Sequence, residues 1–403
     1  MSKLEELIQQ CCPDGVEWKP LTECCNILDG KRKPITKGAR QSGPYPYYGA
    51  NGIQDWVADY IFDGTYVLIG EDGSVITPNG TPIVNWAHGK IWVNNHAHII
   101  AEKTGVLLRF LFYYIQIIDI HNLVHGNIPK LTQGDLKELE IPVPPLPVQE
   151  EIVRILDAFT ELQTELQTEL QIRKQQYSYY LDNLLNFNNI NRGGYQAEVR
   201  WMKMSDIGTF YSGLSGKTKE DFQNGNAKFI SYVNIFNNPS LITDVDDRVK
   251  IFEGERQNTI QYGDLLFTGS SETPDECGMC SVLTHHTEEK LYLNSFCFGF
   301  RFNDLSGINP EFMKFLFRSS VIRKLICKTA NGVTRFNISK KEFAKIVIPI
   351  PSLAEQDHIA SVLDKFYFLV GDLTIGLPAE IEKRRQQYEY YRDKLLTFKR
   401  KGA

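Results

Sequence analysis

The chain has 403 residues, 42% of them hydrophobic and 23% charged, which is enough to bury the cores of two or three domains. No stretch approaches the roughly 20 apolar residues that a membrane-spanning helix needs. The opening MSKLEELIQQ lacks the features of a secretion signal, so we expect a cytoplasmic protein. The formal net charge of −5 argues against binding of nucleic acid by gross electrostatics alone. Any basic surface must therefore be local or be supplied by a partner.

The eight cysteines do not form the pattern of a secreted disulfide framework, and we expect reduced thiols. Cys277 and Cys280, followed by His285 and His286, can be drawn as a zinc site. Their spacing is shorter than that of the usual two-armed zinc cages. We therefore interpret them as loop and core residues and expect no metal in this chain.

Four segments occur twice in the same order along the chain, which indicates duplicated domains rather than a solenoid of short units. The first pair aligns Trp18 with Trp201. The paired segments are 16–31 with 199–214, 90–95 with 290–295, 141–159 with 348–366, and 173–187 with 384–398.

The sequence changes character within each half at the blocks IPVPP and IPIPS. Short alternating runs rich in aromatic and β-branched residues precede each block and predict mixed α/β domains. A helical period of apolar residues follows each block. The predicted parts are an N-terminal helical segment 1–15, a recognition domain 16–147, a spacer helix 148–190, a second recognition domain 191–352 and a second spacer helix 353–403.

The first spacer helix should begin near Val148, because prolines 142, 144, 145 and 147 precede it. About 40 residues would give an arm of roughly 60 Å. The second arm should break at Gly376 and restart with Pro378 at a helix N-terminus. Pairing of the two arms within one chain would bury both apolar stripes and give a pseudo-twofold monomer; oligomerisation through the same stripes is the alternative.

This arrangement resembles the specificity subunit of bacterial type I restriction-modification systems over nearly the whole chain. The resemblance is carried by the opening 3–18, by both proline blocks with the residues that follow them, and by LPAEIEKRRQQYEYYRDKLLTF at 377–398. It implies an α+β or α/β fold with two target-recognition domains separated by two long antiparallel coiled-coil helices. It also implies that residues 1–12 continue the helical region in circular order, as Leu184–Asn191 does for the second domain.

The resemblance implies double-stranded DNA as the ligand, one half of a split asymmetric sequence per domain, and no catalysis by this chain. Two methyltransferase (modification) subunits would dock on the helices and would recruit restriction subunits. S-adenosylmethionine, ATP and Mg²⁺ would be bound by those partners, with no cofactor in this chain. The expected docking and spacer residues are Gln149, Asp157, Gln176, Tyr177, Gln356, Asp364, Gln387 and Tyr388.

Basic and amide side chains in three kinds of loop are the candidate DNA contacts. They lie at 30–52, in the corresponding stretch at 213–238, and in the turns at 125–131 and 331–336 just before each proline block. Such groups can neutralise phosphates or reach base edges, although basic loops are also commonly only solvated. The candidates are Lys31, Arg32, Lys33, Lys37, Arg40, Tyr45, Tyr47, Lys130, Lys217, Lys219, Lys228, Tyr232, Asn234, Asn237 and Arg335.

Residues 160–171 read TELQ three times, within the first spacer helix. Four helical residues add about 6 Å, close to two base-pair rises of about 3.4 Å each. If the helix sets the distance between the recognition domains, the repeat measures the unread gap between two half-sites. The alternative is replication slippage in a tolerant, solvated helix.

Two rival functions rest on weaker patterns. Asp275, Glu288 and Lys290 imitate the acid, acid, lysine arrangement of a metal-dependent nuclease. A coiled-coil scaffold without DNA affinity is the other alternative. Gly216-Lys217-Thr218 lacks the glycine that a phosphate-binding loop requires, and the chain has no methyltransferase motif for a flipped adenine or its cofactor.

Overall fold

The structure is a computed structural model that describes residues 3–187, 199–371 and 376–402. Its internal contacts divide the chain into unit 1, which comprises Met1–Gln167 and Glu380–Ala403, and unit 2, which comprises Thr168–Ala379. Both units are mixed assemblies of helices and sheets, as the duplicated sequence predicts. None of the helices in the described ranges is long and apolar enough to cross a membrane.

The first stretch of unit 1 folds into ten strands and the start of a long helix. The elements are α1 (Lys3–Cys11), β1 (Glu17–Pro20), α2 (Leu21–Cys24), β2 (Asn26–Ile27), β3 (Ser42–Gly49), β4 (Gly52–Val57), β5 (Phe62–Gly70), β6 (Val84–Val93), β7 (Ala97–Ala101), α3 (Leu108–Ile115), β8 (Val124–His125), β9 (Lys130–Leu131), α4 (Gln133–Lys137), β10 (Glu140–Val143) and α5 (Leu146–Leu185). A six-stranded sheet has the order β2-β7-β5-β6-β3-β4, and β1-β10 and β8-β9 form two-stranded ribbons.

Unit 2 follows the same plan in the second half of the chain. The elements are β11 (Arg200–Lys203), α6 (Met204–Ile207), β12 (Gly208–Ser212), β13 (Ala227–Ile230), α7 (Tyr232–Asn237), β14 (Arg248–Val249), β15 (Thr259–Ile260), β16 (Leu265–Thr268), β17 (Ser270–Ser271), β18 (Cys280–Val282), β19 (Leu291–Leu293), β20 (Cys297–Phe302), α8 (Pro310–Leu316), α9 (Ser320–Cys327), β21 (Ala330–Asn331), β22 (Phe336–Ile338), α10 (Lys340–Phe343), β23 (Val347–Ile350) and α11 (Leu353–Gly371). Helix α12 (Leu377–Leu395) then leads back into unit 1. The sheets of unit 2 have the orders β12-β20-β16-β18, β14-β13-β19-β15 and β17-β22-β21, with β11-β23 as a ribbon.

Strand pairings repeat between the units at positions that the sequence repeat aligns. Ribbon β1-β10 pairs Trp18 with Pro142, and ribbon β11-β23 pairs Trp201 with Pro349. The parallel pairs β3-β6 and β13-β19 also correspond, because Trp92 and Tyr292 occupy equivalent positions in them. The two units are therefore two copies of one topology.

Helix α5 begins at Leu146, near the predicted start at Val148, but the prediction that Pro147 precedes the helix was wrong. Pro147 lies in the first turn of the helix. The backbone N–H groups of a first turn have no intrahelical acceptor, so a proline costs nothing there. The helix ends at Leu185, and the predicted boundary at 190 lies outside the described residues.

The second arm is divided into two helices, as predicted. Helix α11 ends at Gly371, and α12 begins at Leu377 with Pro378 in its first turn. The fixed φ of proline suits this first turn.

The apolar stripe of α5 contacts another helix in both units. In unit 1, Phe159 lies against Tyr388 and stacks on Tyr391 of α12, with ring centroids 6.4 and 5.6 Å apart. In unit 2, the ring centroid of Tyr180 lies 4.9 Å from that of Phe366 of α11. The predicted pairing of helical seams within one chain is thus confirmed.

Residues near both ends of the chain meet in unit 1. The backbone N–H of Val16 donates to the carbonyl of Lys399, and that of Lys401 donates to the carbonyl of Val16, each at 2.9 Å. The guanidinium of Arg400 lies 5.2 Å from the ring centre of Trp18. Helix α12 therefore leads into unit 1 as α5 leads into unit 2, and the Asn188–Asn191 part of the predicted circular order lies outside the described residues.

Candidate nucleic-acid interface

In unit 1 a turn after β5 supports the β8-β9 hairpin. The N–H of Gly73 donates to the carbonyl of Pro129 at 3.0 Å, and the N–H of Leu131 donates to the carbonyl of Glu71 at 2.9 Å. The guanidinium of Arg32 donates to the Glu71 carboxylate at 2.5 Å and to the carbonyl of Ala97 at 2.7 Å. The predicted DNA-contacting segments at 30–33 and 125–131 thus form one assembly with the turn at 70–74.

Unit 2 contains the corresponding assembly, but different side chains hold it together. The turn after β16 contains β17, which pairs Ser270 with Asn337 and Ser271 with Phe336 of β22. The guanidinium of Arg335 donates to the hydroxyl of Ser270 at 3.0 and 3.2 Å. The turn at 269–276 and the hairpin at 331–336 are therefore also adjacent.

An asparagine turn places a third element beside each hairpin. The side-chain oxygen of Asn94 accepts from the N–H of His96 at 2.8 Å, and that of Asn294 accepts from the N–H of Phe296 at 2.9 Å. Nδ1 of His96 contacts the Asp72 carboxylate, whereas Phe296 is 61% exposed and lies under the Arg335 guanidinium. Equivalent backbone positions thus present different side chains in the two units.

A buried ion network fixes the assembly of unit 1. Nε2 of His98 lies 2.9 Å from the carbonyl of Leu131, and Nδ1 lies 2.6 Å from the Asp29 carboxylate. Burial by itself would raise the pKa of Asp29, but hydrogen bonds from His98, Ile99 and Gln133 and the charge of His98 outweigh it, and the net pKa is lowered. Both ring nitrogens of His98 face acceptors, so the buried ring joins Asp29 to the backbone of β9.

The lowered pKa of Asp29 makes this network depend on pH. Its contribution to the free energy of unfolding is fully present above the unfolded-state pKa of about 3.9. It is lost as the pH falls through the lower folded-state value, because protonated Asp29 no longer accepts all of the hydrogen bonds from His98, Ile99 and Gln133.

Asp29, Glu71 and His98 also form a group with metal-ligand spacing, the one such group in residues 3–187, 199–371 and 376–402. The two ring nitrogens of His98 already contact protein acceptors, the Asp29 carboxylate and the Leu131 carbonyl. Arg32 and Lys130 already balance Glu71. These residues fit an ion network that joins loops and do not fit a metal centre.

The predicted basic residues of 30–52 divide into an exposed group and an internally bound group. Lys31, Lys33 and Lys37 are exposed. Arg40 instead donates to the Asp55 carboxylate at 3.1 Å, and its guanidinium lies 4.2 Å above the ring of Tyr47.

Two tyrosines of this stretch also occupy internal positions. Tyr47 is only 1% exposed and exchanges hydrogen bonds with the backbone of Ile35, so its assignment as a DNA contact is corrected to a core residue. Tyr45 is half-buried against Tyr60. Arg32, bound to Glu71 and Ala97, is likewise a residue that positions the loop.

The candidates of unit 2 are divided in the same way. Lys217 is corrected to a structural residue, because its ammonium group donates at 2.6 Å to both the Lys250 carbonyl and the Glu255 carboxylate and its side chain is 3% exposed. Asn234 is buried and holds the backbone of Ile242 through its amide, so it cannot reach a base.

The remaining candidates of unit 2 lie at or near the surface. Lys219 and Asn237 are exposed. Lys228 pairs with Glu289 at 2.7 Å, and the Tyr232 hydroxyl donates to the carbonyl of Ser270 at 2.9 Å. Lys130, in unit 1, is exposed and lies 3.3 Å from Glu71.

Two of the expected docking residues are buried, and each connects a spacer helix to its own domain. The side-chain oxygen of Gln149 accepts from the N–H of Leu107 at 2.9 Å, and its NH₂ group donates to the carbonyls of Gly105 and Pro144. Gln356 repeats all three bonds with Asn309, Gly307 and Pro351. Because both glutamines are 0% exposed, their assignment to partner docking is corrected.

The other expected docking residues lie on the helices with intramolecular contacts. Asp157 accepts from Arg109 at 2.7 Å, and Asp364 accepts from Lys314 at 2.5 Å. Tyr177 packs against Tyr367, as Tyr388 packs against Phe159. Gln176 and Gln387 each accept from an arginine three residues earlier, Arg173 and Arg384.

The structure gives the residues of the zinc and nuclease patterns other surroundings than a metal site. The Cys277 thiol faces the Phe336 carbonyl, His285 contacts Thr243, and His286 stacks on Tyr262, so the drawn zinc ligands serve other contacts. Asp275, Glu288 and Lys290 are exposed. No metal-spaced group of the described residues includes either acid of the nuclease pattern.

Sequence reasoning missed the two buried charge networks. Asp29 and His98 are far apart in sequence and belong to unremarkable segments. In unit 2, buried Asp264 accepts from Arg301 at 2.6 Å and from Tyr211 at 2.7 Å. The available signal was a charged residue inside otherwise apolar strands, as His98 is in AHIIA and Arg301 is in CFGFRF.

Comparison with known protein families gives a consistent result for both halves of the chain. The model of the type I restriction modification DNA specificity domain matches residues 13–175 and 197–383. The chain therefore belongs to the family of type I restriction-modification specificity subunits. Family membership makes it a specificity subunit rather than a methyltransferase or a nuclease.

Individual relatives agree with this assignment. A putative type I restriction enzyme specificity subunit of Haemophilus influenzae is 36% identical, with 98% of each chain covered. The EcoR124I/EcoR124II specificity subunit of Escherichia coli is 30% identical over 74% of this chain and 72% of its own length. The fold is shared with the crystal structure of the S subunit from M. genitalium, with a TM-score of 0.55 at 15% identity, covering 94% and 95% of the two chains.

Replacing Gln149 by Leu should destabilise unit 1. The substitution leaves the N–H of Leu107 and two carbonyls without their buried partner, and each such loss costs about 1–3 kcal/mol. We expect a lower urea midpoint in circular dichroism. Gln167→Leu, on an exposed face of α5, is the matched control. Equal urea midpoints for the two variants would contradict the stabilising role of Gln149.

Replacing His98 by Gln should weaken the buried network around Asp29. The substitution removes the ring that contacts both Asp29 and the Leu131 carbonyl, and a buried acceptor left without its partner costs about 1–3 kcal/mol, so thermal unfolding should occur at a lower temperature. His88→Gln is the control, since the ring of His88 is exposed and contacts Thr65. A variant as stable as the control would show that the contacts of His98 do not stabilise unit 1.

Proposed function

We propose that this chain selects the DNA sequence on which a type I restriction-modification complex acts. Each recognition domain binds one half of a split, asymmetric site in double-stranded DNA. The helices dock two methyltransferase subunits, through which restriction subunits join, in the cytoplasm of a prokaryote. The partners bind S-adenosylmethionine, ATP and Mg²⁺, while this chain binds none of them.

The observation that carries the proposal is the pair of equivalent turn and hairpin assemblies with different surface side chains. His96 corresponds to Phe296, and Lys130 lies in the hairpin that corresponds to that of Arg335. Sequence is read by the side chains that meet base edges, whereas the backbone only positions them. Two copies of one scaffold with different side chains are suited to two different half-sites.

Repeated aromatic side chains on the helices support docking of two copies of one partner. Tyr179 is 65% exposed and Tyr390 is 63% exposed, at equivalent positions in the sequence repeat. Each lies edge-on to the next tyrosine, Tyr180 or Tyr391, with ring centroids 5.6 and 5.3 Å apart. Exposed aromatic side chains are enriched where protein partners bind.

The proposal is tested by exchanging one recognition domain. Residues 16–147 are replaced by the matching segment of the Haemophilus influenzae relative, and the chimera is expressed with the cognate methyltransferase subunits. Sequencing of methylated bases in the host DNA should show one half of the methylated site changed and the other half retained. Expression of the methyltransferase alone is the control and should give no site-specific methylation.

Three results would contradict the proposal. Methylation independent of this chain would remove its role in site choice, and a complete change of the site would assign both halves to one domain. DNA cleavage by the chain alone with Mg²⁺ would make it a nuclease.

Deleting one TELQ unit should shorten the unread gap of the recognised site. Removal of residues 164–167 from continuous helix α5 shortens it by about 6 Å and rotates the following residues by about 40°. We expect the same two half-sites with a gap shorter by one or two base pairs, detected by sequencing of methylated bases. An unchanged gap would favour a tolerant helix without a measuring role.

A further inference from the structure

The two hairpins beside the recognition turns end in exposed aliphatic side chains. Ile128, between β8 and β9, is 70% exposed, and Val333, between β21 and β22, is 90% exposed. A single exposed aliphatic residue on a protein surface is ordinary. Here one stands at the tip of the corresponding hairpin in each copy of a duplicated domain, although the hairpin sequences HGNIPKL and NGVTRF have diverged.

Both tips are held in place from outside the hairpin. In unit 1 the turn at 71–73 holds Pro129 and pairs Asp72 with Lys130. In unit 2 strand β17 and the Ser270 hydroxyl hold the strand that follows the tip. A tip that is ordered before binding loses little conformational entropy when it meets a ligand.

Glycines permit the tight turns that lead into the tips. Gly126 has a φ of +90° and Gly332 has a φ of +141°, conformations that L side chains rarely adopt. A Cβ on Gly332 would lie 2.0 Å from the carbonyl oxygen of Arg335. The backbone thus requires glycine before each aliphatic residue, and the aliphatic side chain itself is the exposed group.

The dimensions of the hairpins suit the major groove of DNA. Two strands lie about 4.8 Å apart, so a hairpin with its side chains fits a groove about 12 Å wide and not one about 6 Å wide. Lys130 and Arg335 follow the tips and are exposed, and basic side chains at such positions are suited to contact phosphates at a groove edge. The base feature that an aliphatic side chain can recognise in the major groove is the C5-methyl group of thymine.

We propose that Ile128 and Val333 read thymine methyl groups, one in each half of the DNA site. This inference rests on the proposed function and adds to it the groove, the residue and the chemical group that is read. A buried methyl group contributes to binding through the apolar surface that it removes from water.

Uracil tests the proposal, because it differs from thymine only by lacking the methyl group. The full chain, assembled with its methyltransferase subunits, is titrated onto duplexes of its methylated site in which each thymine is replaced in turn by uracil. For the wild-type complex, one replacement in each half-site should weaken binding about fourfold, the value of one buried methyl group.

The variants assign each methyl group to one residue. Ile128→Ala should bind the thymine duplex about fourfold more weakly and should lose the uracil effect in one half-site only. Val333→Ala should do the same in the other half-site. Ile242→Ala, an aliphatic residue that is 49% exposed and belongs to neither hairpin, is the matched control and should retain the wild-type response.

Several results would overturn the inference. The wild-type complex could bind every uracil duplex as tightly as thymine, or the two tip variants could keep the full uracil effect. If a variant bound DNA more weakly but kept its full uracil effect, the tip residue would stabilise the complex without reading a methyl group. A wild-type complex without any preference for its site would instead refute the proposed function on which the inference rests.

Discussion

The buried glutamine at the start of each spacer helix is the contact on which the architecture depends. Gln149 and Gln356 each use one side-chain amide to bind three backbone groups, one on the strand-to-helix connection and two on the loop before a domain helix. A buried amide with all of these bonds made fixes distance and direction together. If this contact were flexible, the direction of the helix would no longer fix the position of the recognition domain that precedes it. The identical bonds in both copies make the helix direction a property of the duplicated unit.

The two domains share this glutamine contact but have diverged in how they hold their recognition loops. Unit 1 uses the ion network around His98, whereas the equivalent residue in unit 2 is Phe298, which packs in a cluster of phenylalanines that includes Phe267 and Phe343. An ion network demands particular partners, while an aromatic cluster accepts changes that keep volume and shape. The same backbone topology can therefore carry different surface side chains.

Duplication and helical periodicity were readable from the sequence, because both depend on residues that are near in the chain or repeat in order. The interruption around Pro378 followed from the fixed geometry of one residue. The candidate site was less predictable, since a lysine or tyrosine in a loop-like stretch does not reveal its partner. Lys217 binds Glu255 and Tyr47 binds Ile35, and neither pairing has a local sequence signal. The family resemblance singled out Gln149 as a docking residue. Because Gln149 is buried, it instead connects the spacer helix to its own domain.

The backbone contact between Val16 and residues 399–401 has a genetic consequence. The codons for residues 399–401 complete the first recognition domain, not the second, so the two domains are not encoded as two separable halves. Loss of those codons would damage a domain that is encoded more than 200 residues earlier. Recombination that exchanges the first domain would therefore succeed only if the incoming segment still fits the resident helix α12 and the residues that follow it.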